Sequence, residues 1–365
     1  MTHPALVAAE ATAFRALMAL PPRLMRRLAG RPVIADGQVL DTETQWLLRL
    51  QRLMREPGPE TLAVPEGRRA VVRQSLLVGG RQPIGRIEDR TLRGPSAAAG
   101  GTDSELPVRL YVPRALLSTS GPAGDPLLVY LHGGGMVYGD LETHDAVCRF
   151  LAERAGVRVL AVDYRLAPEH PFPAAVEDCW AAYQWVAEHA EELGADVDRL
   201  AVGGDSAGGY LGAVVALRAA EAGVPCAFQL LVYPVTNMAD PSESRRLFAD
   251  GYYLNAGFIA LSERLYLTAD DDRRDPSVSV AFTEKIPADL APAHVATAGF
   301  DPLRDEGEEY ARRLARAGVP VTLQRYPGLM HSFFNMVGVG RSSRAAVAEI
   351  ADALSAALNR GALHG

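Results

Sequence analysis

The sequence predicts an α/β fold with a mostly parallel, twisted sheet that helices cover on both faces. From about residue 85 onward, short apolar segments alternate with longer helical patterns, and the short segments are apolar throughout. Continuous apolar strands between helices are typical of parallel sheets that are buried on both faces. The predicted strands cover residues 87–92, 108–112, 126–131, 157–162, 200–202, 228–232, 294–298 and 321–326. The predicted helices cover residues 141–155, 174–192, 210–222, 305–317 and 344–359.

The first 85 residues differ from the rest of the chain in pattern and charge. Helical patterns cover residues 4–28 and 42–54, and arginine outnumbers the acidic residues. A basic amphipathic pattern can indicate contact with a membrane surface, but helices that pack on a larger domain are the simpler interpretation. We therefore predict a helical cap over residues 1–85 and an α/β domain over residues 86–365, with room for a further cap helix near 236–270.

Composition excludes several classes of function. The chain has 365 residues, 48% of them apolar, and a net charge of −7, so nucleic acid is not an expected partner. No apolar run reaches the length of a transmembrane helix, and Glu10 and Arg15 interrupt the N-terminal segment, so we expect neither membrane association nor a signal peptide. The three cysteines, Cys148, Cys179 and Cys226, are widely spaced. They predict buried free thiols in a cytoplasmic protein, and a homodimer is compatible with the sequence.

Residues 203–209 read Gly-Gly-Asp-Ser-Ala-Gly-Gly, between an apolar strand and an Ala-rich helical pattern. Small residues on both sides of Ser206, at Gly204 and Gly208, suit a nucleophile elbow, in which the strand and the helix approach closely. A serine helix cap or a phosphate-binding turn would explain the same glycines. Motifs elsewhere in the chain distinguish between these interpretations.

A second glycine-rich segment, His132-Gly-Gly-Gly135, directly follows a predicted strand. Glycines allow backbone N–H groups to approach a bound group closely, and two such groups can hold a developing oxyanion. A phosphate-binding loop is the alternative, but the chain has neither a Walker motif nor a Gly-x-Gly-x-x-Gly motif. Together with the serine turn, the segment predicts an oxyanion hole.

A serine nucleophile needs a histidine base and a carboxylate that orients the base. Three histidines follow Ser206, and His294 lies in a predicted strand while His364 lies next to the C-terminus. His331 follows a late strand through a short Pro-Gly loop, and Asp301 ends the strand before that one. The order serine, aspartate, histidine is the order of α/β-hydrolases. The sequence therefore predicts Ser206, Asp301 and His331 as a catalytic triad, and capping of the next helix is the alternative role for Asp301.

With these motifs, the chain resembles the bacterial hormone-sensitive lipase family of esterases, which have the α/β-hydrolase fold. The segments that match are 132–135, 164–178, 204–208 and 301–307 with His331. The resemblance implies a helical cap over the site and an oxyanion hole formed by the N–H groups of Gly134, Gly135 and Ala207. It gives a supporting role to the other motif residues, which are His132, Gly133, Gly204, Asp205 and Gly208.

The sequence departs from the family pattern at two positions. Met136 stands where an aromatic residue often follows the three glycines, and Ser332 stands where glycine often follows the histidine. Neither change removes a catalytic group, but Met136 is expected to alter the acyl or alcohol pocket.

The segment 164–173, Tyr-Arg-Leu-Ala-Pro-Glu-His-Pro-Phe-Pro, contains two residues that suggest catalysis, Glu169 and His170. We interpret it as a rigid structural loop, because three prolines restrict its backbone and His170 precedes the serine in the chain. Arg165 and Glu169 are predicted to pair and brace this loop.

These observations predict a serine carboxylesterase that needs no metal or cofactor. The resemblance favours small, soluble esters with short or medium acyl chains, with Met18, Leu20 and Trp46 as candidates for an apolar entrance. An amidase or formamidase with the same triad remains open, and so does a lipase that acts at lipid interfaces. A non-catalytic receptor with this fold is disfavoured, because all three triad residues are present.

Overall fold

Strands and helices alternate from residue 86 onward in the computed structural model, which describes residues 4–94, 105–117 and 124–359. A short hairpin, β1 (Ile34–Ala35) and β2 (Gln38–Val39), precedes the main sheet. The strands of the main sheet are β3 (Arg86–Arg93), β4 (Glu105–Val112), β5 (Asp125–Leu131), β6 (Arg158–Val162), β7 (Ala195–Asp205), β8 (Phe228–Val232), β9 (Ala293–Phe300) and β10 (Val321–Met330). The helices are α1 (Pro4–Met18), α2 (Pro22–Ala29), α3 (Thr42–Met54), α4 (Val64–Gly79), α5 (Asp145–Ala155), α6 (Ala174–Glu188), α7 (Ala207–Ala222), α8 (Glu243–Leu247), α9 (Ala256–Tyr266), α10 (Arg304–Arg316) and α11 (Arg341–Asn359).

The main sheet has the strand order β10-β9-β8-β7-β5-β6-β4-β3. The pairs from β10 through β6 are parallel, whereas β4 is antiparallel to both of its neighbours. The predicted α/β-hydrolase fold is therefore confirmed. Because β5 to β10 all run in one direction, their carboxyl ends lie along a single edge of the sheet.

Apolar side chains alternate between the two faces of the sheet and form a separate core on each face. On β5, Leu127, Val129 and Leu131 belong to the core that includes residues of α6, α7 and α10, whereas Leu128 and Tyr130 belong to the core that includes residues of α5 and α11. These strands are buried on both sides, which explains why their sequences are continuously apolar. Each fully buried aliphatic side chain contributes about 2 kcal/mol of transfer free energy, so the two cores position the site rigidly.

The N-terminal helices form a third apolar cluster beside the sheet. The segment 4–28, predicted as one helix, is divided into α1 and α2 at Pro21-Pro22, since a proline ring is tolerated in the first turn of a helix but not in its interior. Met18, Met25 and Trp46 pack with Phe300 and Met330, the last residues of β9 and β10. The N-terminal helices therefore contact the ends of the strands that carry the predicted acid and base.

The segment 236–270, where the sequence allows one more helix, contains the two helices α8 and α9. None of the helices in the described part of the chain is long and apolar enough to span a bilayer. Cys148, Cys179 and Cys226 are free, and the first two are buried.

Candidate active site

The predicted site residues emerge from neighbouring strands at the carboxyl edge of the sheet. His132 follows β5, Ser206 follows β7, Asp301 follows β9 and His331 follows β10. Strand β10 runs further than predicted, to Met330, with an irregularity in its pairing after Tyr326. Such irregularities redirect the side chains that follow them, and here the next side chain is His331.

Ser206 lies in a sharp turn between β7 and α7. Its φ of 58° is in the left-handed region, which a non-glycine residue adopts only when the surrounding structure holds it there. The Ser206 N–H donates to the Val232 carbonyl at 2.9 Å. A Cβ at Gly208 would collide with the carbonyl oxygen of Leu131 on β5, so only glycine lets the helix come this close. The glycines around Ser206 are thus explained by close approach of backbone.

The structure joins Ser206, His331 and Asp301 by hydrogen bonds. His331 Nε2 lies 3.0 Å from Ser206 Oγ, and His331 Nδ1 lies 2.8 Å from Asp301 Oδ2. Asp301 is fully buried, and its other oxygen accepts the Leu303 N–H at 2.8 Å. Asp301 therefore both holds the imidazole and begins the turn before α10. His294 is instead buried in β9 with both ring nitrogens unpartnered among the described residues, and His364 lies outside those residues.

The glycine-rich loop after β5 presents backbone N–H groups beside the serine. Gly134 and Gly135 have φ values of 124° and 64°, and a Cβ at Gly134 would collide with the Tyr138 carbonyl group. The Gly133 N–H donates to Asp205 Oδ1 at 3.0 Å. Within the described part of the chain, the N–H groups of Gly134, Gly135 and Ala207 have no acceptor. These three donors are therefore available to an oxyanion.

His132 and Tyr164 pack together beside the glycine-rich loop. The His132 ring stacks on Tyr164 with a centroid distance of 4.2 Å, and the Tyr164 hydroxyl donates to the His132 carbonyl. Burial, together with the nearby charge of His144, lowers the pKa of His132 to about 4. His132 is therefore neutral at pH 7 and acts as a packing group.

Asp205 is the centre of a buried hydrogen-bond network directly beside the nucleophile. Its carboxylate accepts from the Tyr130 hydroxyl at 2.6 Å and from Asn335 Nδ2 at 3.2 Å, besides the Gly133 N–H. His144 Nε2 lies 3.2 Å from the same carboxylate. Burial raises the pKa of Asp205, but the charge and hydrogen bond of His144 and the Tyr130 hydroxyl outweigh burial and hold that pKa below its usual range.

Sequence reasoning missed Tyr130, His144 and Asn335, since no motif spacing relates them to Asp205. The sequence predicts Tyr130 only as part of a buried strand. Its hydroxyl is the single sequence feature that points to this network, because a buried tyrosine usually has a hydrogen-bond partner. The network links the nucleophile turn to the oxyanion loop, because Asp205 precedes Ser206 and its carboxylate holds the Gly133 N–H.

A cavity of about 740 Å³ opens above Ser206 and His331. Its apolar wall includes Leu47, Leu48, Val71, Val78, Tyr138, Tyr252, Phe258 and Met336. Charged residues, among them Arg52, Arg55, Glu56, Glu60 and Asp250, line the rest. The N-terminal helices α3 and α4 thus form part of the wall around the serine.

Several expectations about the pocket were wrong. Met18 and Trp46 are buried in the third apolar cluster with Leu20 packed beside them, and Leu47 and Leu48 face the cavity instead. Successive residues of a helix point about 100° apart, so a neighbouring position can face a different surface. Met136 is also buried in the core rather than in the cavity wall. Ser332 does line the cavity, and its φ of 69° explains why glycine suits that position.

The proline-rich loop 164–173 is braced by partners that differ from the predicted pair. Glu169 pairs with Arg68 of α4 at 2.7 Å, and Arg165 pairs with Asp178 of α6 at 2.7 Å. The predicted pair of Arg165 with Glu169 is therefore wrong. His170 is exposed and does not line the cavity.

Comparisons with known proteins agree with the fold. A family model described as an alpha/beta hydrolase fold matches residues 128–335. Carboxylic ester hydrolase LipN of Mycobacterium tuberculosis is 43% identical over 343 residues, which cover 91% of this chain and 87% of that protein. The chain belongs to the hormone-sensitive lipase family of α/β-hydrolases. It is a carboxylic ester hydrolase, and we call it the esterase below.

Other relatives and solved structures cover most of the esterase. Ethyl acetate hydrolase of Pseudomonas putida is 38% identical over 302 residues, covering 80% of this chain and 90% of that protein. An α/β-hydrolase enzyme from the metagenome of Lake Arreo has a structure with a TM-score of 0.81 and 40% identity, covering 87% of this chain and 98% of that one. A hyperthermophilic esterase from Pyrobaculum calidifontis has a TM-score of 0.78 at 38% identity, with the same coverage.

Proposed function

We propose that the esterase hydrolyses short- to medium-chain carboxylic esters through an acyl-enzyme, with Ser206, His331 and Asp301 as its triad. The observation that carries this proposal is the hydrogen-bonded series from Ser206 Oγ to His331 and Asp301 at the base of a cavity, with distances of 3.0 and 2.8 Å. Distances in this range permit proton transfer from the serine without a rearrangement of the site.

In the first half of the reaction, Ser206 Oγ attacks the ester carbonyl carbon while His331 Nε2 takes the hydroxyl proton. Asp301 keeps the remaining imidazole proton on Nδ1 and stabilises the imidazolium that forms. The N–H groups of Gly134, Gly135 and Ala207 stabilise the oxyanion. His331 then gives its proton to the leaving alcohol, and the alcohol departs from the acyl-enzyme.

In the second half, His331 takes a proton from water as the water oxygen attacks the acyl carbon. The bond from that carbon to Ser206 Oγ then breaks, His331 gives its proton to Oγ, and the carboxylic acid leaves. Each oxyanion donor contributes about 3 kcal/mol to the stabilisation of such transition states. All donors of the proposed oxyanion hole are backbone groups held by the glycine turn and by the start of α7, so little reorganisation accompanies the attack.

The preference for short and medium acyl chains rests on the relatives and on the cavity. One relative is named an ethyl acetate hydrolase and another, from Saccharolobus solfataricus, an arylesterase. The cavity of about 740 Å³ must hold both the acyl and the alcohol groups, and cavities of this size enclose ligands of moderate length. An amidase activity uses the same groups and is the second candidate. The free thiols support a reducing compartment such as the cytoplasm.

The proposal is tested with p-nitrophenyl esters from acetate to palmitate, each paired with the corresponding p-nitroanilide. The parent enzyme is expected to prefer acyl chains of short or medium length and to cleave the anilides far more slowly. Ser206→Ala is expected to remain folded and to lose activity by about a million-fold. Ser75→Ala, which removes a hydroxyl from the cavity wall, serves as the matched control and should retain turnover.

A phosphonate probe gives a second, independent readout. It should add its mass to the peptide that contains Ser206 in the parent and in Ser75→Ala, but not in Ser206→Ala. Retention of activity within about tenfold in Ser206→Ala would exclude this serine as the nucleophile. Faster cleavage of the anilides than of the esters would support the amidase instead.

A further inference from the structure

One surface of the protein has an unusual charge. It is formed by α2, by the exposed side of α3 and by the loops that follow each helix. The segment 22–55 contains seven arginines, and every one is exposed; they are Arg23, Arg26, Arg27, Arg31, Arg49, Arg52 and Arg55. Within the described part of the chain, none of the seven has an ion-pair partner. We call this surface the arginine face. Its charge contrasts with the net charge of −7 of the whole chain.

The acidic residues of the same segment do not neutralise the arginine face. Asp36 pairs with Arg304, and Glu43 pairs with Arg341. The third, Asp41, caps α3 and accepts the Ser342 hydroxyl. All three carboxylates are therefore directed toward the α/β domain. Their bonds also attach the segment firmly to that domain, so the arginines lie on a fixed surface.

The two helices of the arginine face are held together by a buried side chain. Gln45 of α3 donates to the carbonyls of Ala29 and Arg31 at 2.9 and 2.7 Å and accepts the Val33 N–H. Met25 and Ala29 are the buried positions of α2. With about 100° between successive residues, Arg23 and Arg27 then point away from the protein and Leu24 and Leu28 lie on their flank.

Large apolar side chains are exposed among these arginines. Leu24 is 43% exposed, Leu53 of α3 is 66% exposed and Met54 is 44% exposed. Exposed leucines between arginines are typical of helices that lie in the headgroup region of a membrane, where the guanidinium groups bind phosphates and the apolar groups enter the acyl boundary. A nucleic acid would neutralise the arginines but would leave the leucines in water.

The arginine face borders the opening of the active-site cavity. Arg52 and Arg55 line that cavity, and so do Leu47 and Leu48 of the same helix. A flat surface that contacts α2 and the exposed side of α3 therefore also lies beside the cavity. Three acidic residues besides Asp205 line the same cavity, and they are Glu56, which pairs with Arg73, Glu60, which accepts from Asn255 Nδ2, and Asp250.

We propose that the arginine face is a docking surface for anionic lipid bilayers and that it places the active-site cavity next to the lipid. The arginines provide charge complementarity with anionic headgroups, and the exposed leucines provide apolar contact. Docking does not rest on the proposed catalytic mechanism, because none of the triad residues takes part. It modifies the expectation from the sequence, which had favoured no membrane association.

The proposal is tested by sedimentation with vesicles, using the Ser206→Ala variant so that lipid hydrolysis cannot affect the result. We expect binding to vesicles of phosphatidylcholine and phosphatidylglycerol in equal parts, weak binding to phosphatidylcholine alone, and weaker binding as salt is added. A basic residue at an anionic surface accounts for about a fivefold change in affinity, so adding Arg23→Gln and Arg27→Gln should weaken binding about thirtyfold.

The matched control replaces Arg154 and Arg316, two exposed arginines of α5 and α10, by glutamine and should bind like the parent. In the active enzyme, Arg23→Gln with Arg27→Gln should leave hydrolysis of a soluble ester unchanged. Equal binding to both vesicle types, equal loss in the control pair or no binding at all would refute docking. A dimer that the Arg23 and Arg27 changes dissociate, without vesicle binding, would show that the face binds a second copy instead.

Discussion

Replacement of Asp301 by asparagine tests the carboxylate of the proposed triad most directly. Asp301 makes two hydrogen bonds, one to His331 Nδ1 and one to the Leu303 N–H. Both partners donate, so both oxygens are needed as acceptors. An asparagine has one acceptor oxygen and one NH₂ donor, and the site is fully buried, so no water replaces the lost bond.

The size of the effect follows from where the asparagine NH₂ group points. If it faces His331, it stabilises the tautomer with the proton on Nε2, which cannot accept the Ser206 proton. If it faces the Leu303 N–H, two buried donors oppose each other at a cost of about 1–3 kcal/mol. We therefore expect the first arrangement and a fall in kcat of about ten-thousand-fold, or about 5 kcal/mol.

Asp305 provides the matched control, because it is an aspartate four residues after Asp301, in the first turn of α10. Its carboxylate accepts the Ser244 N–H and pairs with Arg304, and it does not line the cavity. Asp305→Asn should change the free energy of unfolding by about 1 kcal/mol or less and leave kcat within about twofold. The assay is steady-state hydrolysis of p-nitrophenyl butyrate, with thermal unfolding of each variant. If Asp305→Asn abolished turnover while Asp301→Asn spared it, the reasoning would fail.

Three further predictions concern the surroundings of the site. Asp205→Asn should lower kcat more than it changes KM, because the amide cannot hold the Gly133 N–H, Tyr130 and His144 together as the carboxylate does; steady-state kinetics measure the two separately. Removal of residues 1–40 should lower the Tm and shift the acyl-chain preference, since this segment forms part of the cavity wall and covers apolar groups at the ends of β9 and β10. Between pH 7 and pH 5, His294 should lower the free energy of unfolding of the parent by about 2 kcal/mol, and His294→Leu should not show this part of the decrease. Urea unfolding at both pH values measures the difference.

The sign of the pH effect at His294 follows from its burial. Burial lowers the pKa of His294 to about 4, from an ordinary value of 6.5. As the pH falls from 7 to 5, the unfolded chain binds a proton at this residue and the folded chain does not, so the unfolded state is favoured. Equal pH dependence in the parent and in His294→Leu would contradict this account. For the truncation, the contradicting result is a folded protein with an unchanged acyl-chain preference. For Asp205→Asn, the contradicting result is an unchanged kcat.

The sequence by itself determined the fold class and the chain order of the proposed site residues. Both depend on local patterns: continuously apolar segments predict buried parallel strands, and the residues that follow such strands come to one edge of the sheet. Ser206, Asp301 and His331 could be predicted for this reason. The glycines beside Ser206 carried further information, because a close backbone approach excludes a Cβ.

Tertiary structure alone decided which distant groups meet. Glu169 pairs with Arg68, which lies 101 residues earlier in the chain, rather than with Arg165. Asp205 meets His144, which directly precedes α5, and Leu47 faces the cavity whereas Trp46 packs in the third apolar cluster because of the rotation of α3. Such contacts depend on how helices are placed and rotated on the sheet. That placement results from the packing of many side chains together, so no short segment of the sequence contains it.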